Sequence, residues 1–262
     1  MKRYLRIYKL LLKINLIALF TYRANFVNST ISSFVWGIFG IATIVLITSR
    51  TNSVFGWKRE DLILLTAVYS LIVGFFHLFF GRNFERFSRL IAWGKFDSVL
   101  LKPLDSQFSI SFWEINYTAI ARIVLGSSVL IYLVHSLSYT INFMNILFFI
   151  SLLMVGILIL YSLWLIAVTF LIWIPQLTNI IDLMYTVNGF TRYPPEMFKK
   201  VSGLLFLITI PVVFVAVSPF KTLIGKATYW DAVILLLICG LLLIFSRAFW
   251  KFGLRYYTSA SN

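Results

Sequence analysis

Acidic side chains are scarce in this chain: 9 Asp plus Glu among 262 residues, against 23 Lys plus Arg. Cysteine occurs once, as Cys239 inside an apolar run, which excludes an internal disulfide and any thiolate metal cluster and leaves a small core residue. Histidine occurs twice, as His77 and His135, each closing an apolar segment, and neither HExxH nor CxxC is present. No G-x-x-x-x-G-K-[ST] loop is present either, so the chain has no phosphate-binding loop of that type. With so few carboxylates and no nucleophile beside a base, nothing in the sequence resembles a catalytic centre.

What the chain has is apolar surface. Hydrophobic residues make up 60% and charged residues only 12%, with a mean hydropathy of +0.92. A soluble domain is typically about a quarter charged and just under half apolar. The excess is too large for a bigger core to absorb, so lipid is the solvent for most of the chain. The pI near 10.0 therefore points to basic loops meeting anionic headgroups rather than to nucleic acid.

The pattern predicts an all-α integral membrane protein of about six transmembrane helices in one domain, 1–262. Residues 1–28 hold six basic residues and no acid, with Lys2, Arg6, Lys9 and Lys13 on one helical face. That spread of charge does not suit a cleavable signal; it suits a helix lying in the headgroup plane. Spans follow at 30–49, 62–80, 114–135, 145–172, 174–190 and 231–249, with Pro175 as the break between the fourth and fifth. Pro211 interrupts an apolar piece within 192–229.

Between the second and third spans lies an insert, 81–113, charged on both signs. In "RNFERFSRLIA", Phe84, Phe87 and Leu90/Ile91 recur at spacings of three and four, with Arg82, Glu85, Arg86 and Arg89 elsewhere. Gly94 can end this helix. Phe96, Val99, Leu100 and Leu101 suit a second short helix stopped by Pro103. The result is a compact knob that does not cross the membrane, able to dock on a soluble partner or to rest on lipid.

Basic residues fix the orientation. The amino terminus, the insert and the tail from Arg247 all fall on one side, assigned to the cytoplasm. Residues 191–229, with Arg192, Lys199, Lys200, Lys221 and Lys226, then fall outside, against the rule. A second layout obeys it better: one long helix over 144–174, residues 175–200 at the cytoplasmic face and a crossing at 201–217. Two ionisable residues within spans, Arg122 and Asp182, are candidates by position. They line a polar pathway or pair with each other; otherwise Arg122 snorkels to the interface and Asp182 caps a broken helix near Asn179.

The insert reads G-x-[hydrophobic]-D-x-x-L-[hydrophobic]-[basic]-P-[hydrophobic] over Gly94, Phe96, Asp97, Leu100, Leu101, Lys102, Pro103 and Leu104. "RYPPEMF" and "ITIPVVFVAVSPFKTLIG", with Pro211, Pro219 and Gly225, form a second stretch. In these motifs and in the order of its segments, the chain resembles the bacterial permease subunits of ABC transporters of the ABC-2 type. The resemblance implies an exporter permease in the bacterial cytoplasmic membrane, both termini cytoplasmic. It implies pairing with a second permease, identical or different, and two copies of a separate ATPase that holds ATP and magnesium. No cofactor is expected in this chain. It also implies a re-entrant hairpin over 192–229 and makes the insert the coupling element, carried by Phe84, Arg86, Phe87, Arg89, Gly94, Phe96, Asp97, Leu100 and Pro103. Tyr69, His77, Arg122, Asn179, Asp182 and Asn188 are the expected translocation-path residues. The rival readings are a channel or scaffold without ATP coupling, and a membrane-embedded lipid-modifying enzyme.

Overall fold

The structure, a computed structural model, describes residues 2–49, 53–139, 142–177, 179–198 and 204–258. Lys199 and Lys200, which bear on the orientation rule, lie outside them. The chain begins with α1 (Lys2–Thr21) and, after a break at Tyr22, α2 (Arg23–Ile47). A two-stranded hairpin, β1 (Ser53–Val54) and β2 (Trp57–Lys58), leads into α3 (Arg59–Phe76). One wide π-helical turn, His77–Gly81, joins α3 to α4 (Arg82–Ala92) without a bend into solvent. Short helices α5 (Asp97–Leu100) and α6 (Ser106–Ser111) complete the insert. They are followed by α7 (Ile120–Ser136), α8 (Phe143–Thr169), α9 (Ile180–Phe190), α10 (Leu204–Leu223) and α11 (Tyr229–Arg255).

Among the described residues, five helical stretches are long and apolar enough to cross a bilayer: Arg23–Ile47, Arg59–Ala92, Tyr117–Ser136, Phe143–Ile172 and Tyr229–Arg255. The chain is thus an all-α membrane protein. The expected span at 174–190 differs from what is seen. The helix before it stops at Ile172, the chain turns around Pro175, and α9 has only 11 residues, about half the roughly 20 that span the hydrocarbon core. Nor does Pro211 interrupt its segment. Both Pro211 and Pro219 lie inside a continuous α10, as membrane helices allow when neighbouring groups take up the freed carbonyls.

Helix α3 is the axis of the core. Every residue from Leu64 to Gly74 is buried, and α3 packs against α2, α7, α8 and α10. Without water to drive association, close backbone approach does more of the work. At Gly126 of α7 a Cβ would sit 3.0 Å from the Ser70 Cβ and 3.2 Å from the Ala67 carbonyl, and at Gly156 of α8 it would meet Val215 of α10 at 3.0 Å. The unbroken helix Arg59–Ala92 has 34 residues, about 50 Å at 1.5 Å per residue, so it separates two ends of the molecule.

At the far end, Trp57 donates to Glu196 (2.9 Å) and its ring lies 5.1 Å from Phe220. At the insert end, α1 lies across residues 104–117. Tyr4 meets Phe108, Tyr8 meets Phe112, Asn15 donates to the Trp113 carbonyl and Tyr117 to that of Leu12. Lys2, Arg6, Lys9 and Lys13 all stay exposed on α1.

Candidate functional site

Two places gather the polar chemistry. The first is the tip of the insert. Helix α4 ends in a Schellman arrangement: Lys95 N–H donates to the Leu90 carbonyl (2.8 Å) and Gly94 N–H to that of Ile91 (3.0 Å). Gly94 takes φ +64°, the left-handed conformation that glycine adopts without a Cβ clash. Below it, Asp105 caps α6 by accepting from Phe108 N–H (3.0 Å) and receives both ends of the Arg247 guanidinium, at 3.1 and 2.6 Å. Arg247 also donates to Gln107 (2.5 Å), and Trp250 donates to Ser106 (3.2 Å). The Arg247 hydrogen bond, more than any other influence, holds the Asp105 carboxyl below its ordinary value. Burial and the neighbouring Asp97 carboxylate raise Tyr257, whose hydroxyl is hydrogen-bonded to Asp97.

The aromatic residues expected to carry the coupling are covered within the chain. Phe84, Phe87 and Phe96 are buried to within 1% of complete. Phe84 packs on Phe76, Tyr161 and Trp164; Phe87 and Phe96 pack on each other and on Trp250. Because α4 continues α3, its apolar face is turned into the same core. Arg86 and Arg89 are engaged within the chain, with Glu114 at 3.6 Å and Glu85 at 3.9 Å. What the tip exposes is Trp93 (64%), Leu100, Leu101 (85%) and Pro103, flanked by the exposed Arg89 and Lys95. Trp93 and Leu101 were not among the candidate residues picked from the sequence. Their signal was an aromatic beside the helix-ending Gly94 and a leucine beside the Lys102-Pro103 stop.

The second place is a cavity of about 950 Å³ between α2, α3, α4, α7 and α9. Tyr69, His77, Arg122 and Asn188 line it, as expected from the sequence. Arg82, Glu85, Tyr185 and Arg192 join them, with Ser29, Ser32, Ser33 and Trp36 from α2. The π-helical turn places His77 against this space. Its ring stacks on Tyr185 (centroids 5.3 Å apart, 6° between planes), and the Tyr185 hydroxyl donates to Glu85. Trp164 donates to Asn188 Oδ1 (3.1 Å), leaving Asn188 Nδ2 buried without a partner among the described residues. The Nε atoms of Arg122 and Arg192 and the hydroxyl of Thr191 are in the same condition.

Asn179 and Asp182 are not part of this cavity. Both are exposed. Asn179 precedes α9 and Asp182 sits in its first turn, where a carboxylate complements the helix dipole. The chain turns at 173–177, so the helix starts later than the apolar run suggests. Among the described residues Arg122 and Asp182 form no ion pair; Arg122 instead lies over the Tyr69 ring at 5.6 Å. Arg192 entered the sequence reading only as one of the basic residues of 191–229, because only the fold brings the end of α9 back to α2.

Residues 34–261 match the family model described as ABC-2 family transporter protein. No curated protein and no solved structure gave a match.

Proposed function

Because the chain belongs to the ABC-2 transporter family, we propose that it is the permease subunit of an ATP-driven exporter of the bacterial cytoplasmic membrane, coupled through its insert to an ATPase on a separate chain. The observation that carries this reading is the tip. Trp93 and Leu101 stand exposed on a segment made rigid by buried Phe87 and Phe96, by the Gly94 turn and by the Asp105–Arg247 pair. A large apolar residue held out by a rigid base suits docking into a preformed cleft, since little order remains to be imposed on binding. In this reading the coupling contact runs through Trp93, Leu100, Leu101 and Pro103. Phe84, Phe87, Gly94, Phe96 and Asp97 shape the tip, and Arg86 and Arg89 brace it. ATP and magnesium belong to the ATPase, of which two copies serve two permeases, identical or different.

The six-crossing layout with a re-entrant hairpin, both termini cytoplasmic, belongs to the same proposal. Tyr185 of α9 meets Glu85 near the insert, whereas Glu196 and Phe220 both meet Trp57 at the far end. A crossing between α9 and Glu196, and a hairpin that begins and ends on the Trp57 side, are compatible with these contacts. The exposed basic face of α1 lies beside the insert, and both fit the cytoplasmic leaflet.

Capture of the tagged chain from its native membrane in mild detergent, followed by mass spectrometry, tests the reading. The expected result is a co-purifying protein with a G-x-x-x-x-G-K-[ST] loop that is lost on Leu101→Arg, with the permease itself still monodisperse. A permease that emerges alone under several detergents overturns it.

A further inference from the structure

We propose that the cavity between α2, α3, α7 and α9 binds a phosphate-type oxyanion, the headgroup of an amphipathic cargo; this rests on the permease reading and names its substrate class. Three guanidinium groups, Arg82, Arg122 and Arg192, line the space against one carboxylate, Glu85. That carboxylate is already engaged, by the Tyr185 hydroxyl and by Arg89 at 3.9 Å. The remaining charge is therefore cationic and has no further carboxylate among the described lining residues, and a buried charge without a partner is costly.

The donors are also unsatisfied. Nε of Arg122, Nε of Arg192 and Nδ2 of Asn188 are buried without an acceptor among the described residues, and Asn188 is only 2% exposed. All three can only donate. They need an acceptor, and arginine's fork of N–H groups matches an oxyanion.

The geometry lets one ligand meet both arginines. A Cβ on Gly37 would lie 3.9 Å from Arg122 Cγ, and one on Gly40 would lie 3.9 Å from Arg192 Nη1. These glycines are three residues apart, about one helical turn, so the two side chains reach the same face of α2 at neighbouring levels. Hydroxyls of Ser29, Ser32 and Ser33 stand on that wall, and Trp36 and Phe39 add apolar surface for a chain attached to the headgroup. Donors arriving from α2, α7 and α9 suit a tetrahedral group with several equivalent oxygens better than a planar carboxylate.

The full chain, delipidated in nonionic detergent, is titrated with phosphatidylglycerol, phosphatidylcholine and inorganic phosphate, with binding read by native mass spectrometry and thermal shift. Phosphatidylglycerol should bind at least about tenfold more tightly than phosphatidylcholine, and the preference should fall by about tenfold or more in Arg122→Gln/Arg192→Gln. Arg192→Lys alone should retain part of it, which keeps the test informative if the double variant misfolds. Lys9→Gln/Lys13→Gln on α1 should leave the preference intact.

If inorganic phosphate protects the protein as well as the lipid does, in an Arg192-dependent manner, the site is for a soluble phosphate and the amphipathic part of the proposal falls. A preference insensitive to both arginines, or removed by the α1 variant, overturns the site. The same preparations report separately on the premise. An ATPase captured with a chain that shows no anion preference removes this inference and keeps the permease; a chain that selects the anion but captures no ATPase does the reverse.

Discussion

The insert and the cavity treat their charged groups in opposite ways. In and beside the insert, Arg86 has Glu114, Arg89 has Glu85, Arg247 has Asp105 and Gln107, and Asn83 exchanges two hydrogen bonds with the Glu114 backbone. In the cavity, Arg122, Arg192 and Asn188 keep buried donors without acceptors among the described residues. A lipid-embedded chain can hold a charge either by pairing it inside the fold or by leaving it for something that arrives later. The first kind is scaffold and its loss costs stability; the second contributes nothing to the empty fold, and its loss should show only in binding.

The largest effect should come from the scaffold beneath the tip. Phe84→Ala removes a fully buried ring that packs on Phe76, Tyr161 and Trp164. A loss of about 3–5 kcal/mol is expected from the cavity left behind, measurable as a fall in thermal midpoint in detergent. A change below about 1 kcal/mol would mean that α4 turns its phenylalanines outward in the membrane, restoring them as docking residues. Asp105→Ala ranks next, at about 1–2 kcal/mol, since it removes the α6 cap and a half-exposed ion pair together.

The Asp105 carboxyl is held low in the folded chain, so its stabilisation is complete above the unfolded value near about 4 and is lost as the pH falls through the lower folded value. Acid should therefore loosen the tip only below about pH 4, and Asp105→Asn should abolish that component of a pH–stability profile. Trp93→Ala, by contrast, should stay within about 0.5 kcal/mol of the parent while ATPase capture is lost. If its midpoint fell with its capture, Trp93 would belong to the scaffold.

The division between scaffold and site was only partly legible in the sequence. Composition alone places the chain in lipid, because few charges and long apolar runs leave no other solvent, and the Gly94 turn was readable because a helix that must stop there needs a left-handed residue. The facing of α4 was not. Periodicity shows that Phe84 and Phe87 share a side but not what covers it, and the cover comes from Tyr161, Trp164 and Trp250, far along the chain. Arg122 was visible as a charge inside a span, whereas Arg192 was only one of the basic residues of 191–229 until the fold returned it to Gly40. Asp182 misled for a related reason: hydropathy does not reveal that the helix restarts at Ile180, which makes the carboxylate a first-turn residue.

The smallest expected effect is the sharpest test of the comparison, and it sets two arginines side by side. Arg247→Gln breaks contacts with Asp105 and Gln107 and should lower stability by about 1 kcal/mol. Arg192→Gln removes a guanidinium whose Nε is buried without an acceptor among the described residues, so relief of the desolvated charge should offset whatever packing is lost, leaving a change within about 0.5 kcal/mol or a slight gain. Unfolding both variants in the same detergent, without added lipid, gives the two numbers directly. Equal losses would make Arg192 a strut like Arg247 and take away the physical ground for a ligand in the cavity. A neutral Arg192→Gln that turns unfavourable only when phosphatidylglycerol is present would show that the missing partner of this arginine is supplied from outside the chain.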